Sequence, residues 1–201
     1  MPVRSRSNPL SLAVLSCLAE RPMHPYEMAT TMRYLGHHET IRLNFGSLYT
    51  VVRSLERQGF VAAKETEREG RRPTRTVYEI TDAGRTEFID WLSELLSIPV
   101  KDYPALEAGL ALMPSLPPDD VVALLDERCR RVELEIARLD QILIMTTTRG
   151  VPRLFLVEIE FERALREAEL AFTRTLIREI QSGSIDGIEQ WNTHHRAEAR
   201  R

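Results

Sequence analysis

A mainly α-helical chain with two unlike halves is predicted by three features of these 201 residues. Three short amphipathic segments come first. A β-branched and aromatic hairpin with a basic tip follows them. Behind it lie two long segments whose apolar residues recur at heptad spacing, as packed or coiled helices require. Three helices followed by a two-stranded wing is the layout of a winged helix-turn-helix. The expected organisation is a winged helix over 1–97, a helical dimerisation domain with long coiled helices over 98–184, and a flexible tail over 185–201.

The first helix is expected over Leu10 to Glu20, ended by Pro22. Pro25 suits the first position of a second helix, with Glu27 near its positive end and Gly36 closing it. The third opens at Asn44, whose side-chain oxygen can accept from the free N–H groups of a first turn, and ends at Gly59. The hairpin pairs Phe60–Thr66 with Arg75–Ile80 around a charged loop. Thr81 then caps a helix in which Phe88, Trp91, Leu92 and Leu95 share a face. After Pro99 and Pro104 come a short helix at about Leu106–Met113, a long one opened by Asp119-Asp120, and another over about Arg153–Gln181.

The third segment carries the most information. Leu48, Val52 and Leu55 make one face apolar, while Gly46, Tyr49, Thr50, Arg53 and Arg57 occupy the other. Small, hydroxylated and guanidinium side chains on a free helical face suit the DNA major groove. Arginine reads guanine edges there, and hydroxyls hold phosphates. Ser47 and Tyr49 are therefore assigned to phosphates, and Thr50 and Arg53 to base edges. Arg71 and Arg72 at the hairpin tip, with Arg68 beside them and Arg75 at the base, are assigned to the flanking backbone or minor groove.

Net charge is −3, unhelpful for a DNA binder, but it is unevenly spread. Residues 1–90 hold 13 Lys and Arg against 11 Asp and Glu, and the rest 14 against 19. No apolar run approaches the roughly 18 residues that span a bilayer. Leu10–Ala19 reads as a core helix, not a signal peptide. Cys17 and Cys129 have no metal-ligand spacing and read as buried small hydrophobes in a reducing cytoplasm. His37-His38 and His194-His195 lack a third ligand, and Glu158, Glu160 and Glu162 lack an accompanying Glu-x-x-His. No metal or cofactor is expected. With no nucleophile–base pairing and no phosphate-cradling glycine loop, neither is an enzyme.

The stretches Pro22-Met23-His24-Pro25-Tyr26-Glu27-Met28, Gly46-Ser47-Leu48-Tyr49, Leu55-Glu56, Gly59-Phe60-Val61 and Tyr78-Glu79-Ile80-Thr81-Asp82-Ala83-Gly84 stand in an order that resembles the PadR family of bacterial transcriptional regulators. Pro25 departs from the family's usual glycine. Phe45 and Thr50 stand where proline is common. The resemblance implies a dimeric, repressor-like protein that binds double-stranded DNA through its front half and dimerises through its back helices. Some members sense small molecules at or near the dimer interface.

The heptad seam Val122, Leu125, Cys129, Val132, Ile136, Leu139 and Leu143 is the expected dimer contact. Two copies on a two-fold axis would read a palindrome with half-sites about one helical turn apart. Cys129 is a packing residue on this reading, with an inter-chain disulfide as the alternative. Phe88 and Trp91 are candidates for an effector pocket where the domains meet, with core packing as the alternative. The competing reading of the whole chain is a winged-helix protein–protein interaction module without specific DNA binding.

Overall fold

The computed structural model describes residues 8–36, 41, 45–64 and 76–198. It divides into two compact units, one up to Lys101 and one from Asp102.

In the first unit, α1 (Pro9–Glu20) opens where the Asn8 side-chain oxygen accepts from the Leu10 N–H at 3.1 Å. α2 (Pro25–Tyr34) opens on a reciprocal cap. His24 Nδ1 accepts from the Tyr26 N–H at 3.1 Å, and Glu27 Oε2 accepts from the His24 N–H at 2.8 Å. α3 (Phe45–Arg57) ends at Gly59, whose φ of +78° lets the chain turn at once into β1 (Val61–Lys64). β1 pairs antiparallel with β2 (Val77–Ile80), Val61 opposite Ile80 and Lys64 opposite Val77. Met23 exchanges two backbone hydrogen bonds with Tyr78, both 3.0 Å, tying the α1–α2 turn to the sheet.

α4 (Asp82–Ser97) starts at Thr81, whose hydroxyl donates to Gly59 O at 2.7 Å and accepts from the Gly84 N–H at 3.1 Å. Gly84 is there because of a close approach: a Cβ at this position would stand 2.0 Å from Phe60 O. Arg85 donates to Ala19 O at 3.3 Å, fastening α4 to the end of α1. The core joins Leu15 and Leu18 of α1, Met28 and Met32 of α2, Leu48, Val52 and Leu55 of α3, and Val61 and Ile80 of the sheet. Each such side chain, fully withdrawn from water, stabilises the fold by about 1.5–3 kcal/mol.

The second unit begins with α5 (Ala105–Leu112) and a 3₁₀ turn at Met113–Ser115. α6 (Pro118–Thr148) runs 31 residues from a proline start, with Asp119 and Asp120 in its first turn. α7 (Val157–Ser182) returns beside it and stops at Gly183, left-handed at φ +71°. Ion pairs stitch this hairpin: Arg128 with Glu169 at 2.6 Å, Arg163 with Asp140, and Arg174 with Glu133.

Two expectations change here. The segment from 185 onward, expected to fray, forms α8 (Ile188–Glu198). Ile185, Ile188 and Trp191 pack on the α6–α7 core. The Trp191 indole donates to Leu116 O at 2.8 Å, and the His195 ring lies 2.9 Å from Pro114 O. Three well-spaced apolar anchors suffice to dock an otherwise polar helix.

The second change concerns the heptad seam. Leu125, Cys129, Val132 and Leu139 are buried, and Val122, Ile136 and Leu143 half-buried, within the single chain. Val121, Leu125 and Cys129 share a core with Leu176, Ile177 and Ile180 of α7. Around Leu125 and Cys129 the seam is covered by the chain's own return helix, where a second copy was expected. The inward face of α7 carries Glu162, Arg166, Glu169 and Thr173 among its positions, all half-buried or buried. Its other face exposes Val157, Phe161, Leu165 and Phe172, and Leu154, in the 3₁₀ turn Arg153–Phe155 just ahead of it, is exposed as well.

Candidate nucleic-acid interface

α3 divides as its sequence pattern requires. Leu48 and Val52 are almost wholly buried, with Val51 and Leu55 close behind, while Gly46, Ser47, Tyr49, Thr50, Arg53 and Arg57 are exposed on the opposite side. The structure thus brings five of the predicted DNA-contacting side chains onto one free helical face: Ser47, Tyr49, Thr50, Arg53 and Arg57. Asn44, Arg68, Arg71, Arg72 and Arg75 lie outside the described residues.

The exposed groups are partly pre-arranged. The Thr50 hydroxyl donates to Gly46 O at 3.0 Å, so its free lone pair remains an acceptor for a base amino group. Arg57 Nε donates to Arg53 O at 3.4 Å, which leaves its terminal nitrogens for an outside acceptor. The Tyr49 ring, 43% exposed as a residue, meets the His24 imidazole edge-on at 6.3 Å between centroids. This contact joins the start of α2 to the free face of α3, and one-dimensional periodicity could not have shown it. Burial pushes the Tyr78 hydroxyl above its ordinary value of 10.0, and the Glu56 carboxylate adds to this while Arg53 opposes it. Tyr78 therefore stays protonated, a donor and not an anion, beside the arginine assigned to base reading. On the sheet, Lys64 pairs with Glu79 across the strands at 3.2 Å, both exposed.

The cysteines are not chemical groups of this site. Burial pushes the Cys17 thiol up to about 11, and burial likewise raises that of Cys129. Both are free and buried. An inter-chain bridge through Cys129 would require the α6–α7 hairpin to open. Phe88 packs against the first unit's core, and Trp91 is buried, its indole N–H without an acceptor among the described residues. No group of three or more His, Cys, Asp or Glu able to hold a metal ion occurs among the described residues. Among those residues, no helix is long and apolar enough to cross a membrane.

Residues 14–90 match the model of the transcriptional regulator PadR-like family. No curated protein sequence matches the chain. Among solved structures, the chain is similar to Bacillus subtilis PadR in complex with operator DNA, at 16% identity and a TM-score of 0.65, covering 86% of this chain and 99% of that one. It is also similar to the same Bacillus protein in complex with p-coumaric acid (16% identity, TM-score 0.69, covering 86% and 98%). A third likeness is to the Vibrio cholerae virulence activator AphA (17% identity, TM-score 0.64, covering 86% and 98%). At these identities the likenesses establish the fold, a winged helix joined to long helices. The match to the PadR-like family of transcriptional regulators runs from within α1 to within α4, the winged-helix part of the chain.

Proposed function

We propose that the protein is a sequence-specific, dimeric repressor that lays α3 of each copy in successive major grooves of a palindromic operator. One observation carries this reading: Ser47, Tyr49, Thr50, Arg53 and Arg57 stand together on the free face of a helix whose opposite face is locked into the core. The operator complex of the Bacillus relative supports DNA as the partner. Ser47 and Tyr49 hold phosphates. Thr50 accepts from a base amino group, and Arg53 forks onto a guanine edge. Arg68, Arg71, Arg72 and Arg75 add wing contacts to the backbone.

A single short helix reaches few bases, so useful affinity requires two copies. The second copy docks on the exposed α7 stripe of Val157, Phe161, Leu165 and Phe172, with Leu154 just ahead of it, because the α6 seam around Leu125 and Cys129 is already taken up by α7. Exposed apolar surface of this length on one helix marks an interaction face. Effector control is proposed at Trp91 with Phe88. A buried indole N–H lacking an acceptor among the described residues gives a ligand oxygen something to satisfy, and the p-coumaric acid complex of the Bacillus relative is consistent with a small-molecule signal.

The test is a gel shift on the promoter of the protein's own gene. Arg53→Ala is expected to cost about 1–3 kcal/mol and to relax base preference at one position per half-site. Unchanged affinity with unchanged preference would reject the role of α3. Failure of the unaltered protein to prefer any duplex at moderate salt would favour the protein–protein module, the reading that the chain's net charge of −3 suits better.

A further inference from the structure

We infer that His24, the cap of α2, is a positioning residue for DNA binding: its imidazole sets the direction of the Tyr49 side chain on α3. The inference rests on the proposal that α3 faces DNA, and it adds a residue from outside that helix to the site. The two ring centroids stand 6.3 Å apart with their planes at 73°, the edge-on arrangement that aromatic rings favour. Tyr49 is 43% exposed. An exposed ring on a helix exchanges rotamers rapidly unless a neighbour holds it. Here the neighbour comes from the turn that precedes α2.

That turn is held at several points, which makes it a rigid support. His24 Nδ1 accepts from the Tyr26 N–H at 3.1 Å, and Glu27 Oε2 accepts from the His24 N–H at 2.8 Å. These bonds fix both the imidazole and the backbone that carries it. The adjacent Met23 is buried and exchanges backbone hydrogen bonds with Tyr78 of β2. A ring nitrogen that accepts carries no proton, so the imidazole is neutral with its hydrogen on Nε2. It therefore brings no charge to a phosphate, and its effect on DNA passes through Tyr49. A phenol hydroxyl already held in one direction meets a phosphate oxygen with less ordering cost on binding. Capping and ring contact can be separated chemically. Asparagine is a strong helix cap without a ring. Phenylalanine carries a ring and cannot accept.

The experiment is a double-mutant cycle on the affinity of the full chain for its operator and for an unrelated duplex, between about 50 and 200 mM salt. His24→Asn is expected to keep the parental melting temperature and to weaken binding to both duplexes alike, by about two- to tenfold. Its salt slope should match the parent's, because no charge is lost. His24→Phe is expected to melt earlier yet to bind as the parent does while folded. Tyr49→Phe should weaken both duplexes, and adding His24→Asn to it should cost less than about twofold more. Fully additive losses, or parental binding by His24→Asn or Tyr49→Phe, would overturn the positioning role. So would an equal loss of affinity in folded His24→Phe. A shallower salt slope in His24→Asn would make His24 itself a charged contact and overturn it too. Arg53→Ala runs alongside. If it lowers operator affinity while any of those results holds, the α3 reading stands without His24. If Arg53→Ala binds as the parent does, the α3 reading fails and the role of His24 falls with it.

Discussion

The two units solve the same packing problem to different degrees. The winged-helix unit closes its core on itself: Leu15, Leu18, Met28, Met32, Leu48 and Val52 interlock, and the sheet and Met23 seal the edge. The helical unit buries a narrow seam, braces its hairpin with ion pairs, and leaves a row of large apolar side chains on α7 in water. Exposed ion pairs such as Arg174 with Glu133 contribute only about 0–1 kcal/mol each. On the proposed reading the contrast divides the tasks: the finished unit would present a polar face to a duplex, and the unfinished one would dock a second copy.

The sharpest way to break this comparison is to empty the buried seam. Leu139, 2% exposed on α6, should cost about 2–5 kcal/mol when changed to alanine, read as an earlier denaturant midpoint. Phe161, 65% exposed on α7, should behave in the opposite manner. Phe161→Ala should change single-chain stability by about 0.5 kcal/mol or less, yet shift the sedimentation boundary toward monomer. If Phe161→Ala unfolds the chain and leaves assembly intact, the two faces have been assigned the wrong way round.

Gly84→Ala comes next. Its Cβ would collide with Phe60 O, so about 1–3 kcal/mol of winged-helix stability is expected to go, with no change in assembly. Trp191→Phe removes the hydrogen bond to Leu116 O and should cost about 0.5–1.5 kcal/mol, confined to the helical unit. Loss of hydrogen-exchange protection in α8 would report it.

The smallest effect is acidic. Hydrogen bonds from Arg130 and Arg131 hold the Glu127 carboxyl below its ordinary 4.5, and Arg153 does the same for Glu160. A depressed folded value means the stabilisation is complete above the unfolded value and disappears as pH falls through the folded one. Melts of the parent should be flat above about pH 5 and decline below it. Arg153→Gln should flatten that decline slightly, and an identical decline would remove Glu160 from the account.

The winged helix was legible because its elements bury one face each. A 3.6-residue rhythm in α3 separates Leu48, Val52 and Leu55 from Tyr49, Thr50 and Arg53, and the structure keeps that split. The back half was legible only as helices. A heptad on α6 says that Leu125 and Leu139 are covered, but is silent on whether the cover is the same chain or another. The covering face of α7 contains Glu162, Arg166 and Glu169 beside Leu176 and Ile180, while Phe161 and Leu165 face water, so apolar spacing alone does not say which side of this helix is buried. The docked end of the chain was missed because Ile185, Ile188 and Trp191 are anchors set among polar residues. In the site, the meeting of His24 with Tyr49 joins positions far apart in sequence, which no local pattern encodes.

Footprinting of the full-length protein on its own promoter tests the central claim most directly, with guanine-N7 methylation interference run in parallel. The account requires two protected half-sites on one side of the duplex, about 10 base pairs or a multiple apart. It also requires interference at a guanine in each half-site that disappears in Arg53→Ala. A single unpaired footprint, or interference that Arg53→Ala leaves in place, would contradict it.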